Sequence, residues 1–185
     1  MPELVTYADE ALPADLKRQI LAAHRSEWPG GYVGENRLRD WVQRPRFHLL
    51  HLALVERGSL IGYAGVVWKH LEHAGETYET FGLSGVYTDP AFRRQGHGRR
   101  LVDAATALIQ GSDPDIGLFT CTPDLVDFYA AGGWESIESA VLLGGPQSAR
   151  WPTEERVMMG FFSDKGRQGR PDLESQPISF DDDLW

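Results

Sequence analysis

A single cysteine, Cys121, occurs among the 185 residues. No intrachain disulfide can form, so stability must come from a packed core; one cysteine also fits a reducing compartment, and a cytoplasmic protein is expected. Long apolar runs are also missing: none approaches the roughly 20 residues that span a bilayer. Met1-Pro-Glu-Leu opens without the basic-then-apolar pattern of a secretory leader, so no membrane partner is expected. Positive charge is scarce, with 18 Lys and Arg against 27 Asp and Glu and a net charge of −9. That balance suits a phosphate backbone poorly, so no nucleic acid is expected; it suits a small cationic partner or, with no site to tie it to, serves solubility. Metal-ligand spacing is poor as well. His70 and His73 lack a third ligand at useful spacing, and no metal is expected. No internal repeat is present.

Hydrophobic residues make up 42% of the chain, with six tryptophans, which indicates a globular domain with a full core. Leu12-Pro13 opens a helix to about Trp28, with Leu16, Ile20 and Ala23 on one face, ended by Pro29-Gly30-Gly31. Residues 35–44 read as a short second helix stopped by Pro45. Strands are expected over 47–55, 60–71 and 77–88, the first two joined by a turn at Arg57-Gly58-Ser59. A helix with Leu101, Ala104, Ala105 and Leu108 on one face follows, then a strand at 116–121, a short helix at 123–131 and a strand at 157–162. The order α-α-β-β-β-α-β-α-β predicts a mixed α/β sheet in one domain, residues 1–162. From Ser163 the composition turns to Gly, Pro, Asp and Ser without a period, which reads either as a loose tail over 163–185 or as a tail packing on the same domain near the acceptor site. The terminal Trp185 is an aromatic that could anchor that tail near a site.

The most informative stretch runs from Val86 to Leu101, VYTDPAFRRQGHGRRL. It places a strand, an Asp89-Pro90 turn, a loop with Gly96 and Gly98, and a helix in succession. Glycines where a helix begins leave backbone N–H groups free to converge on one ligand, and the helix end adds partial positive charge, so the segment is a candidate phosphate cradle. Arg93, Arg94, Arg99 and Arg100 add cations there.

Arg93-x-x-Gly96-x-Gly98 resembles the acetyl-coenzyme A pyrophosphate loop of the GNAT N-acetyltransferase superfamily. The preceding strand Leu83-Ser84-Gly85-Val86-Tyr87 and the later segment Asp124-Leu-Val-Asp-Phe-Tyr129-Ala-Ala-Gly-Gly-Trp134 are similar to that superfamily's motifs in the same order. The resemblance implies the GNAT acyl-CoA N-acyltransferase fold, an α/β fold whose mixed, mostly antiparallel sheet is splayed at the acetyl-CoA site. It implies acetyl-CoA as cosubstrate, with no metal. Its pantetheine arm would lie along Gly85, Val86 and Tyr87, with Gly85 admitting close approach. Its pyrophosphate would lie on the loop of Arg93, Arg94, Gln95, Gly96, His97, Gly98 and Arg99, with the charge partner among Arg93, Arg94 and Arg99 left open. Tyr129 takes the position of a tyrosine that protonates the departing thiolate; the competing reading of Tyr129 is a core residue beside Phe128. Cys121 is expected to pack rather than to carry an acyl group, because direct attack by the amine is the family's usual route.

Among these enzymes the chain most resembles the aminoglycoside 2′-N-acetyltransferases. The matching positions are Glu35, Asp40-Trp41, Tyr129, Trp134, Glu154 and the end Asp183-Leu-Trp185. The resemblance implies that Glu35, Asp40, Glu154, Asp183 and the carboxylate of Trp185 hold a cationic aminoglycoside, with Glu79 and Thr120 also in the acceptor site. A homodimer is the implied assembly. One departure stands out: where the family commonly has an acid before the glycine of the coenzyme A strand, this chain has Ser84, which can position water but cannot act as a base at neutral pH. The base is left unassigned. Competing expectations are another amine acceptor (a polyamine, amino sugar or peptide N-terminus), a module that binds coenzyme A without turnover, and a Rossmann-type nucleotide turn. The missing third glycine argues against the last.

Overall fold

The computed structural model describes residues 2–145 and 148–180. The strands are β1 Glu3–Ala8, β2 Leu50–Glu56, β3 Ser59–His73, β4 Glu76–Thr88, β5 Ile116–Cys121, β6 Glu135–Ser136, β7 Leu142–Gly144, β8 Trp151–Pro152, β9 Arg156–Phe161 and β10 Ile178–Ser179. The α-helices are α1 Ala14–Glu27, α2 His97–Gln110, α3 Val126–Ala130 and α4 Asp164–Ser175. The chain divides into two compact units, residues 1–67 with 84–105 and residues 68–83 with 106–185.

In the first unit the strand order is β1-β2-β3-β4. β1 runs antiparallel to β2 from Glu3↔Val55 to Ala8↔Leu50, and β2 antiparallel to β3 from Leu50↔Val66 to Glu56↔Ser59. Arg57 and Gly58 turn this hairpin with φ of +52° and +81°, two left-handed residues whose twist matches that of the flanking strands. α1 buries Leu16, Ile20, Leu21 and His24, a stripe of helical period. At the end of β4 the Asp89 amide donates to the Ile61 carbonyl at 2.9 Å, and the Asp89 carboxylate accepts from the Ala91 amide at 2.9 Å, which starts the turn toward α2.

In the second unit the order is β3-β4-β5-β9-β6. β5 and β9 pair antiparallel from Ile116↔Phe161 to Cys121↔Arg156. β4 and β5 are parallel but pair at only Thr80↔Ile116 and Phe81↔Gly117, so their ladder ends there and the two strands part. A second sheet, β10-β7-β8, joins β10 to β7 in parallel and β7 to β8 antiparallel.

Three expectations are corrected. The sequence signal misses β1, a strand paired on one side only. Residues 35–44 are not an α-helix: a 3₁₀ turn spans Gly34–Leu38, and Arg39 is extended at φ −59°, ψ 136°. Of 35–44 only Val42 is buried, so no apolar stripe rewards helical winding. Over residues 163–180 the loose reading of the tail does not hold. Ser163 caps α4, its Oγ accepting from the Gly166 amide at 3.0 Å and donating to Asp115 at 2.6 Å, while Lys165 pairs with Asp115 at 3.0 Å. Gly166 lies against the Asp115 carbonyl and Gly169 against the Tyr78 hydroxyl, where a Cβ would overlap both. The glycines that weaken helix propensity are here the packing surface. Asp183 and Trp185 lie outside the described residues.

Candidate active site

Two sets of chemically able residues emerge, one in each unit. The first is built on Ser84 and Gly85 in β4. Gly85 is left-handed, at φ +57°, and a Cβ on it would stand 2.6 Å from Cε1 of His24. What comes close to this glycine on that face is the imidazole of α1. His24 Nε2 donates to the Gly85 carbonyl at 3.2 Å, and its ring meets Trp28 and Tyr63 edge-on with centroids 5.1 and 5.2 Å away. Burial drives its pKa down to about 4, the Gly85 carbonyl opposing and the charges of Arg39 and His51 adding to the fall. His24 is neutral at physiological pH.

Beneath it a polar chain runs from the buried Tyr63 and His51 out to the exposed Asp9. His51 Nε2 donates to Asp9 at 3.0 Å, and its Nδ1 accepts from the Tyr63 hydroxyl at 3.0 Å. Burial lowers the His51 pKa against the opposing pull of Asp9. Gly65 leaves room where a Cβ would meet the Ser84 carbonyl and the Tyr63 hydroxyl, each at 3.0 Å. Ser84 itself is engaged: Gln43 Oε1 accepts from the Arg44 amide at 3.1 Å, which turns Gln43 Nε2 to donate to Ser84 Oγ at 3.2 Å. Ser84 thus accepts from Gln43, and its own hydrogen is free to donate elsewhere, the behaviour of a positioning hydroxyl. Val86 is half-buried and Tyr87 is buried. Burial raises the Tyr87 pKa. Glu79 sits toward the other end of β4, its amide tied to Asp115 at 3.0 Å in the second unit.

The loop from β4 to α2 has the geometry of an anion nest. Arg94 and Gly96 are both left-handed, at φ +62° and +84°, and the space a Cβ would take on Gly96 is open. The first turn of α2 begins at His97, Gly98 and Arg99 with backbone N–H groups that a helix cannot pair internally. Arg93 is spent on the frame, donating to the Thr88 carbonyl at 2.9 Å and pairing with Glu27 at 2.8 Å. Gln95 donates to the Ala91 carbonyl at 3.1 Å, and Arg99 pairs with Asp103 at 2.6 Å. Of the three candidate charge partners, Arg94 is the one with no partner among the described residues.

In the second unit Tyr129 of α3 packs edge-on to Phe119 and Phe128, with centroids 4.9 and 5.0 Å away. Burial, followed by Cys121 and Glu155, pushes its pKa above the usual value. The phenol stays protonated and is available as a donor. Burial with Glu155 and Asp124 pushes the Cys121 thiol up to about 11, so it holds its proton at neutral pH and is a poor nucleophile. Thr120 donates to Glu155 at 2.5 Å. Glu154 lies on a shallow hollow of about 600 Å³ lined by Trp151, Pro152, Thr153, Glu154 and Glu155, with Trp151 49% exposed. Glu35 and Asp40 are exposed in the first unit. The second unit thus brings Thr120, Glu155 and Tyr129 into one neighbourhood, while Glu35 and Asp40 belong to the first unit.

Sequence reasoning missed His24, Gln43, Trp151 and Glu155. His24 carried a signal, four residues after Ile20 on an apolar stripe; Gln43 carried none. Among the described residues no three His, Cys, Asp or Glu side chains gather as metal ligands. His73 donates to the Asp172 carbonyl at 3.1 Å, and His70 rests edge-on to Trp68. No helix among the described residues is long and apolar enough to cross a membrane.

Comparison with known proteins adds three findings. The model of the acetyltransferase (GNAT) family matches residues 15–129. No curated protein sequence matches the chain. Solved structures match in fold. The GNAT family N-acetyltransferase YhbS from Escherichia coli, in complex with CoA, is 20% identical with a TM-score of 0.65, over 97% of this chain and 91% of that one. A GNAT family acetyltransferase from Brucella melitensis, in complex with acetyl-CoA, is 16% identical with a TM-score of 0.59, over 96% of each chain. An aminoglycoside 6′-N-acetyltransferase complexed with coenzyme A is 14% identical with a TM-score of 0.57, over 86% of this chain and 97% of that one.

Proposed function

The chain belongs to the acetyltransferase (GNAT) family, and from that premise we propose that it moves acetyl from acetyl-coenzyme A to a primary amine of a small molecule by direct attack. The fold is the GNAT acyl-CoA N-acyltransferase fold. The observation that carries the reading is the strand–nest–helix segment, with left-handed Arg94 and Gly96 feeding the 14-residue α2. That nest suits a pyrophosphate, and Arg94 supplies the charge. The amine nitrogen bonds to the thioester carbon, the C–S bond breaks, and the thiolate takes a proton from Tyr129. The cationic nitrogen of the tetrahedral adduct sheds its extra proton to a water that Ser84 orders as a donor, so that a neutral amide leaves, and Tyr129 recovers its proton from solvent.

An aminoglycoside is one acceptor this reading covers. Glu35, Asp40 and Glu154 support it through their resemblance to the 2′-N-acetyltransferases. The exposed Trp151 offers an aromatic face for a sugar ring beside two glutamates. The test is thiol release from acetyl-coenzyme A over aminoglycosides, polyamines, amino acids and short peptides, with product masses. Turnover of 2′-amino but not 2′-hydroxy aminoglycosides supports that class. Tight coenzyme A binding without thiol release on any acceptor would instead make the chain a binding module. Gly96→Glu should abolish coenzyme A binding in calorimetry, and unchanged affinity would remove the loop assignment.

A further inference from the structure

Among the described residues, the segment between α1 and β2 holds a cation without a counter-ion. Arg39 lies against two rings, its guanidinium carbon 4.0 Å from the centre of Tyr32 and 4.5 Å from that of Trp41. Both rings lie within cation–π distance of this planar ion, whose N–H donors still require partners of their own. One edge donor, Nη2, reaches the Tyr32 hydroxyl at 2.9 Å. Another, Nε, is buried with no hydrogen-bond partner. Among the described residues no carboxylate pairs with Arg39. Asp40 and Glu35 are its acidic neighbours in sequence, and both are exposed. A second cation stands close, since Arg25 donates to the Arg39 carbonyl at 2.9 Å. A partly desolvated guanidinium with a buried orphan donor and no acid is costly unless something else supplies the negative charge.

Its position says what would supply it. The Arg39 charge reaches His24, the residue that holds the Gly85 carbonyl. Four residues on, Gln43 donates to Ser84 Oγ. Arg39 therefore stands beside the Ser84–Gly85 floor, within the first unit. We infer that Arg39 is an acceptor-recognition residue, and that the amine acetylated here also carries a carboxylate, which the remaining edge of the guanidinium binds. One planar fork matches a planar carboxylate in two parallel bonds. The acceptor class is then amino-acid-like, whether a free amino acid or a short peptide with a free C-terminus, and an unadorned polycation is disfavoured. The inference rests on the acetyltransferase reading above.

The experiment compares matched acceptors: amino acids and dipeptides, each beside its C-terminal amide. Thiol release and, separately, calorimetric binding in the presence of coenzyme A are measured for the natural protein, Arg39→Gln and Arg39→Lys. The natural protein should favour each acid over its amide by roughly 30-fold in kcat/KM. Arg39→Gln should erase that preference through KM, with amides unchanged, and Arg39→Lys should keep part of it. Equal use of acid and amide by the natural protein would overturn the inference, as would turnover confined to polycations; the latter leaves the acetyltransferase reading intact. Absence of thiol release with every acceptor strikes the acetyltransferase reading instead. The binding pairs then decide the inference without any turnover: tighter binding of acids lost in Arg39→Gln supports it, and equal binding overturns it. Amino acids and peptides are told apart by comparing each free acid with its dipeptide.

Discussion

His24 in the first unit and Tyr129 in the second meet the same force with opposite results. Both are buried, and burial penalises whichever form is charged. For the imidazole the charged form is the protonated one, so the pKa falls to about 4. For the phenol it is the deprotonated one, so the pKa rises, as it does for Cys121. Desolvation, as the largest cause at both, thus favours a neutral imidazole that keeps a lone pair and a neutral phenol that keeps its proton. The formal charges around them also differ. Arginines crowd the first site, at positions 25 and 39, while Glu155 and Asp124 stand near the second. The contrast shows how one fold can hold a donor and an acceptor ready at the same pH without a salt bridge for either.

That comparison can be broken most severely at Gly85. Gly85→Val forces a β-branched residue into a left-handed conformation and drives its side chain into His24, which should cost about 4 kcal/mol in denaturant unfolding. A change below 1 kcal/mol would mean that the imidazole moves aside freely. The acid limb of the stability curve is the next lever. Unfolded His24 takes a proton near 6.5 and folded His24 near 4, so the unfolded chain binds more protons between those values. Its contribution is fully present above pH 6.5 and is lost as pH falls toward 4, by about 3 kcal/mol. Urea titrations of His24→Gln should show a flatter decline across that window, and an unaltered decline would assign it to other groups.

Tyr129→Phe should lower kcat by about 100-fold with coenzyme A affinity and melting temperature nearly unchanged; normal turnover would remove the phenol from the chemistry. Asp9→Asn weakens the support of His51 and Tyr63 and should cost about 1 kcal/mol in chemical unfolding. The smallest effect belongs to Cys121→Ser, where thiol release should stay within about two-fold, since a thiol with a pKa near 11 offers little thiolate. A large loss would reopen an acyl-cysteine route.

Much of this was legible beforehand, for physical reasons that can be traced. β5 was read at its observed bounds because Ile116–Cys121 is a short apolar run with breakers on both sides. α1 followed from its stripe, and the cradle from two glycines at a helix start. What escaped depends on tertiary contacts. α4 contains Gly166, Gly169 and Pro171 and has no propensity to recommend it; it exists because Asp115 and Tyr78 accept its glycines. Residues 35–44 have helix-forming side chains, yet Arg39 is held extended with rings over its guanidinium. Tyr129 and Ser84 could be named from motif position, whereas Gln43 and His24 became visible only when distant segments met.

The imidazole seated over Gly85 has an evolutionary consequence. Residues 24 and 85 occupy one volume between them, so neither is free to drift alone. A descendant with a side chain at 85 must also lose bulk at 24 and straighten the left-handed turn of the strand. Lineages of this protein should therefore inherit the two positions as a pair, and a sequence that broke the pair would mark a change in how the floor of the site is built.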